Sequence, residues 1–169
     1  MYNTTKSYIL RRCSRIQAKF PELWKHYLYQ SFFATLVVFI ILLVLSLQNA
    51  VVIASIGASA FIVFTMPKNI TARPRRVIGG HMVGMLCGSV CALIPHTSTL
   101  TTALVLSLAV GISIFLMVAF DFEHPPAAGT ALGTAITGFS PDVIIALLTS
   151  VLILSLAHHF SKRFLRDLV

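Results

Sequence analysis

The chain has 169 residues, of which 57% are apolar and 11% charged, and its formal net charge is +8. With a mean hydropathy of +0.88, it carries too little charge to cover a soluble globule, so the bilayer is its natural solvent. The positive charge does not point to nucleic acid, because the basic residues sit between apolar runs and do not form a face interleaved with aromatics.

Residues 5–28 mix Lys6, Arg11, Arg12, Arg15, Lys19 and Lys25 with apolar and aromatic side chains. That mixture suits a basic segment lying on anionic headgroups, or a solvated tail with one snorkelling face. Residues 1–29 therefore read as a basic, partly amphipathic cytoplasmic segment, and their length and polarity do not fit a signal peptide. Pro21 and Glu22 suit a first helical turn, so the first long helix is predicted to start near Pro21. Its apolar run, 32–47, ends at Gln48 and Asn49, and a second run, 50–66, follows at once and stops at Pro67. A tight hairpin is implied.

The loop 67–76 carries Lys68, Arg73, Arg75 and Arg76, and a third run, 77–94, is closed by Pro95 and His96. A fourth run covers 100–120. After Asp121, Glu123, His124, Pro125 and Pro126 comes 127–139, rich in alanine, glycine and threonine, and the last run, 143–160, leads into His158, His159, Lys162, Arg163 and Arg166. The histidine pair is predicted at headgroup level, and 161–169 reads as a basic cytoplasmic tail.

By the positive-inside rule the N-terminal segment, the 67–76 loop and the tail all face the cytoplasm, which requires an even number of crossings. The stretch 124–140 must then cross despite its composition. The expected fold is an all-α membrane protein of about six transmembrane helices, with 30–160 as a single transmembrane domain built of two inverted three-helix repeats, 30–95 and 100–160. Each repeat holds one short or half-length helix. A five-span chain is the alternative.

A helix of about 14 residues covers only about 21 Å of a roughly 30 Å hydrocarbon core, so the segment after Pro126 must end within protein or a water-filled cavity. Prolines in its first turn would leave the amides of Ala127, Ala128 and Gly129 free to face an anion. Gly57, Ala58 and Ser59 either let backbone approach a small solute or serve close helix packing. His81, an ionisable group inside the membrane, is a functional candidate or a ring bonded to a neighbouring carbonyl. His124, beside Asp121 and Glu123, suits a proton carrier or a helix cap. Gly80, Gly84 and Gly88 recur every four residues, and Gly129 and Gly133 repeat the pattern, as packing stripes do.

Cys87 and Cys91 share a face but have no third ligand nearby, so no metal and no cofactor is expected, and Cys13 leaves an odd count unsuited to a disulfide framework. No phosphate loop, catalytic triad or carboxylate pair appears, and an enzyme is not expected.

Taken together, Gly57-Ala58-Ser59-Ala60 with Pro67, Arg73-Pro74-Arg75 running into Val77-Ile78-Gly79-Gly80-His81, and His124-Pro125-Pro126-Ala127 leading to Gly129-Thr130-Ala131-Leu132 resemble the HPP family of integral membrane proteins, over roughly residues 30–160. The resemblance implies functional positions at Gly57, Ala58, Ser59, Arg73, Arg75, Gly80, His81, His124, Pro125 and Pro126. It also implies a link to nitrite transport, known for plastid members, while bacterial members are largely uncharacterised. The family's commoner motif has Gln and Asn where Arg73 and Arg76 stand, and the added charge either attracts anions or reinforces topology.

The expected function is a transporter or channel for a small inorganic anion, nitrite first, with Ala127, Ala128, Gly129 and Thr130 completing the binding set. A structural or regulatory subunit that docks a partner or anionic lipid is the alternative, and a cation or proton-coupled carrier using Asp121 and Glu123 is a third. The short chain suits a homo-oligomer. Without a transit-peptide pattern, a bacterial inner membrane is the expected location.

Overall fold

A computed structural model of the chain describes the backbone of residues 2–44 and 50–169, with side chains at 21, 23–43 and 54–169. Its elements, in order, are α1 Tyr2–Val44, α2 Ala50–Thr65, a 3-10 turn Ile70–Ala72, α3 Pro74–Ala92, α4 Thr99–Ala119, α5 Pro126–Thr137 and α6 Pro141–Ser161. The all-helical expectation holds for the described residues.

Local chemistry sets most of these boundaries. Pro74, Pro126 and Pro141 stand in the first turns of α3, α5 and α6, where a missing N–H costs nothing. Ser98 and Thr101 form a capping box at the start of α4, which satisfies two otherwise orphaned groups. Gly138, at φ +76°, ends α5 in a conformation that side chains disfavour.

Three expectations need correction or placing. The first helix does not start near Pro21: α1 runs from Tyr2 through Pro21 to Val44. One missing hydrogen bond is tolerated there because the flanking residues on both sides remain helix formers. The short helix ends at Thr137, two residues before the predicted limit at 139. The hairpin at Gln48 and Asn49, and the side chains of the basic segment up to residue 20 with Cys13, lie outside the described residues.

Among the described residues three segments are long and apolar enough to cross a membrane: Leu23–Leu43, Thr99–Ala119 and Pro141–Ser161. Large apolar side chains such as Phe32, Leu43, Phe115, Leu152 and Phe160 are exposed on them, as lipid-facing surfaces require. The short helices lie deeper: α5 packs against α2, α3 and α4. The other extensive pairings are α3 with α4 and α6, α1 with α2 and α6, and α2 with α6. One apolar cluster, including Ile41, Phe64, Val77, Leu147 and Leu154, joins α1, α2, α3 and α6. A smaller one, with Cys91, Val105, Ala109 and Ala135, joins α3, α4 and α5.

The closest approach is between α3 and α5. A β-carbon on Gly84 would strike the Ala127 carbonyl, and one on Gly88 would strike Thr134 and the Ala131 carbonyl. Contact at that distance between backbones is what small-residue stripes permit.

The basic end is tied together separately. Gln30 of α1 donates its amide to the Phe64 and Arg166 carbonyls and accepts from the Arg166 N–H. The Leu168 N–H bonds the Thr65 carbonyl, and the Lys68 N–H bonds Asp167. The start of the 67–76 loop and the tail therefore share one end of the bundle.

Replacing Gly84 by Ala forces α5 backbone away from α3 and is expected to lower unfolding free energy by about 1–3 kcal/mol. Gly111→Ala on α4, where nothing lies within 4 Å of the added carbon, is expected to change it little. Thermal unfolding of both variants in one detergent checks the contrast.

Candidate functional site

The short helices meet at a buried polar cluster. Ser55 and Ser59 lie four residues apart on α2 and so share one face. That face meets Thr130 of α5, His81 of α3 and His124, which precedes α5. All five residues are buried. Ser55 Oγ lies 2.8 Å from Thr130 Oγ1, and Thr130 Oγ1 lies 2.7 Å from His81 Nδ1. Ser59 Oγ stands between the two rings, 2.8 Å from His81 Nε2 and 2.9 Å from His124 Nε2. His124 Nδ1 then reaches the Thr71 carbonyl at 2.8 Å.

That last bond orients the whole chain. A carbonyl only accepts, so His124 Nδ1 carries the hydrogen, and in a neutral ring Nε2 is then an acceptor. The Ser59 hydroxyl therefore donates to His124 and accepts from His81 Nε2–H. His81 Nδ1 is left to accept from the Thr130 hydroxyl, and Thr130 to accept from Ser55. Each link has one donor and one acceptor with both rings neutral, which is the condition for burying such groups at low cost.

Glycines make the arrangement possible. A β-carbon on Gly80 would stand 2.8 Å from His124 Cβ, and one on Gly129 would stand 3.2 Å from Ser55 Cβ. Gly133 is buried one turn further along α5. The rings of His81 and His124 lie 5.1 Å apart, tilted by 55°.

At the basic end Arg76, largely buried, forms salt bridges with both Asp121 and Glu123. Both carboxylates required by the cation-carrier alternative are thus engaged. Arg75 lies over the Phe122 ring, 5.3 Å from its centroid, and is exposed, as is Arg73.

Of the candidate residues, the structure gathers Ser59, His81, His124 and Thr130, with Pro126 and Ala127 buried beside them. Gly57 and Ala58 do not join them: both are exposed, and Gly57 lines a groove against α1. Pro125 is exposed and Ala128 half-buried. The expectation of free amides at the start of α5 is corrected. The Ala127 N–H bonds the His124 carbonyl at 2.9 Å and the Ala128 N–H bonds the Pro125 carbonyl at 3.1 Å, because Pro125 already adopts helical angles and draws the preceding carbonyls into the first turn.

His158 is buried, and its Nε2 donates to the Pro67 carbonyl at 3.0 Å, while His159 is exposed. Cys87 and Cys91 are buried free thiols. Among the described residues no three His, Cys, Asp or Glu side chains gather as a metal site would require.

Reading the sequence alone missed Ser55 and Arg76. The four-residue spacing of Ser55 and Ser59 was a usable signal. The pairing of Arg76 with residues 45 and 47 positions away had none.

A family model described as "HPP, transmembrane region" matches residues 21–167. The chain is similar to two transmembrane proteins of Dictyostelium discoideum. One is 39% identical over 88 residues, which are 52% of this chain and 31% of the relative. The other is 32% identical over 85 residues, or 50% and 27%. The aligned part is thus less than a third of each relative's length. No solved structure matches.

Removing Arg76 strands two carboxylates at the edge of the bundle. Arg76→Ala is expected to lower unfolding free energy by about 1–3 kcal/mol, less than for a fully buried broken pair because Asp121 is mostly exposed. Arg76→Lys, a point charge without the fork geometry, should recover only part of that. Thermal unfolding of the two variants at one pH measures both effects.

Proposed function

The chain belongs to the HPP transmembrane family, and on that premise we propose that it is a membrane transporter or channel for a small inorganic anion, with nitrite the first candidate. The carrying observation is the buried cluster of three hydroxyls and two imidazoles where the two short helices, α2 and α5, meet. Polar and ionisable groups held at such depth in a membrane protein mark substrate and ion pathways. In the described state these donors bond to one another. An anion takes their place by accepting the same hydroxyl and N–H hydrogens in place of its water shell. Arg73 and Arg75, exposed around the loop that holds Thr71, attract negative charge to that end.

The helix pairings support a transporter architecture. Exchanging α1 with α4, α2 with α5 and α3 with α6 maps the set of extensive contacts onto itself, as two inverted three-helix repeats require. The contacts of α2 with α5 and of α3 with α6 each map onto themselves, so on this reading the polar cluster lies between the repeats, the usual position of a substrate site. With six crossings, the positive-inside rule turns the end carrying Lys68, Arg73, Lys162 and Arg163 toward the cytoplasm.

The test is uptake of nitrite by liposomes containing the purified chain, with nitrate, formate and chloride as competitors. Saturable, nitrite-preferring uptake is expected. His81→Ala and His124→Ala should each reduce it to the level of protein-free liposomes while keeping helix content and a monodisperse elution profile. Wild-type flux in both variants overturns the site, and no flux of any anion favours the subunit that binds a partner or lipid.

A further inference from the structure

We propose that His124, Ser59 and His81 together form a binding site for one exchangeable proton, with the Ser59 hydroxyl as the element that changes partner. This site goes beyond the anion reading and stands whether or not an anion is carried.

The argument rests on the acceptors around Ser59. In the neutral network the Ser59 hydroxyl donates to His124 Nε2 and accepts from His81. A second acceptor, the Ser55 carbonyl, lies 3.0 Å from Ser59 Oγ. When a proton binds His124 Nε2, an N–H bond forms there and no other covalent bond breaks. The new N–H donates to Ser59 Oγ, and the Ser59 hydroxyl turns to the Ser55 carbonyl. Ser59 Oγ then accepts from both rings with its two lone pairs and donates once, the full capacity of a hydroxyl. His124 Nδ1 stays on Thr71, and the Thr130–His81 and Ser55–Thr130 links are unchanged. Both protonation states are satisfied by the same heavy-atom positions.

A buried cation also needs a compensating charge. Asp121 and Glu123 share the single cation Arg76, so that group carries one formal negative charge, and Glu123 directly precedes His124. The sequences of α2, α4 and α5 hold no ionisable side chain. From α3 come His81, Arg76 and the exposed Arg75, and from the loop come Lys68 and Arg73, also exposed. A groove of about 270 Å³ between α4 and the start of α5 has Glu123 and His124 in its wall.

The test is nitrogen-15 NMR of the full chain in lipid nanodiscs, labelled at histidine, titrated from about pH 8 to about pH 4. His81→Gln and His124→Gln assign the two rings. His124 Nε2 is expected to pass from bare to protonated in one step, and the His81 signals should shift in the same step while that ring keeps a single hydrogen. In Ser59→Ala the new N–H loses its acceptor, so proton affinity should fall roughly tenfold, about one pH unit, and His81 should no longer follow. Ser59→Thr, which keeps the hydroxyl, should retain the linked step. If His124 stays unprotonated down to about pH 4, or if His81 takes the proton or does not respond, the proposal fails on the wild type alone.

Discussion

A helix of twelve residues spans only about 18 Å, well short of a hydrocarbon core, so α5 depends on the seat that α3 provides. Apolar side chains gain little by leaving lipid for protein, and what holds such a helix is close packing and hydrogen bonding. Gly80, Gly84 and Gly88 supply the first by letting the Ala127 and Ala131 carbonyls lie against α3. Thr130 supplies part of the second, because the approach that the glycines allow is what brings its hydroxyl to His81.

The seat also determines where polarity is buried. With α5 against α3, His124 lies over Gly80 and its ring is carried to Ser59 on one side and the Thr71 carbonyl on the other. The 3-10 turn is thereby bonded to the approach to α5, and the Arg76 bridges to Asp121 and Glu123 fasten the same segment again from α3. No water within the hydrocarbon region could take over these bonds, so each polar group is answered by another from a different helix. The cluster is a point where α2, α3 and α5 are joined by chemistry as well as by shape.

Much of this was legible in the residues. The apolar runs and the polar breaks between them located five of the six helices. The sixth, α5, came from charge parity, since basic residues on both sides of it could not otherwise share one face of the membrane. The start of α1 was misread because Pro21, of a type that favours a first turn, is tolerated inside α1 with one hydrogen bond lost. Gly57 was misplaced for a reason that the sequence did contain: with Ser55 and Ser59 facing inward, the helical period turns Gly57 outward, while the exposure of Ala58 at the flank of that face is set by its neighbours. The engaged amides at the start of α5 and the partners of Arg76 were out of reach. The first depends on local backbone angles and the second on a contact between segments more than forty residues apart, neither of which composition encodes.

On the inverted-repeat reading, the two halves contribute unequally to the cluster. The hydroxyls come from both matched short helices, and the Ser55–Thr130 bond joins them at their common contact. The imidazoles are displaced toward one end, where His124 is bonded to the Thr71 carbonyl and flanked by the Arg76 bridges. The His124–Thr71 bond and the Arg76 bridges have no counterpart at the other end among the described residues. On the transporter reading the basic end is therefore the end that opens only by breaking specific polar bonds, while the Ser55–Thr130 bond at the α2–α5 contact need not break.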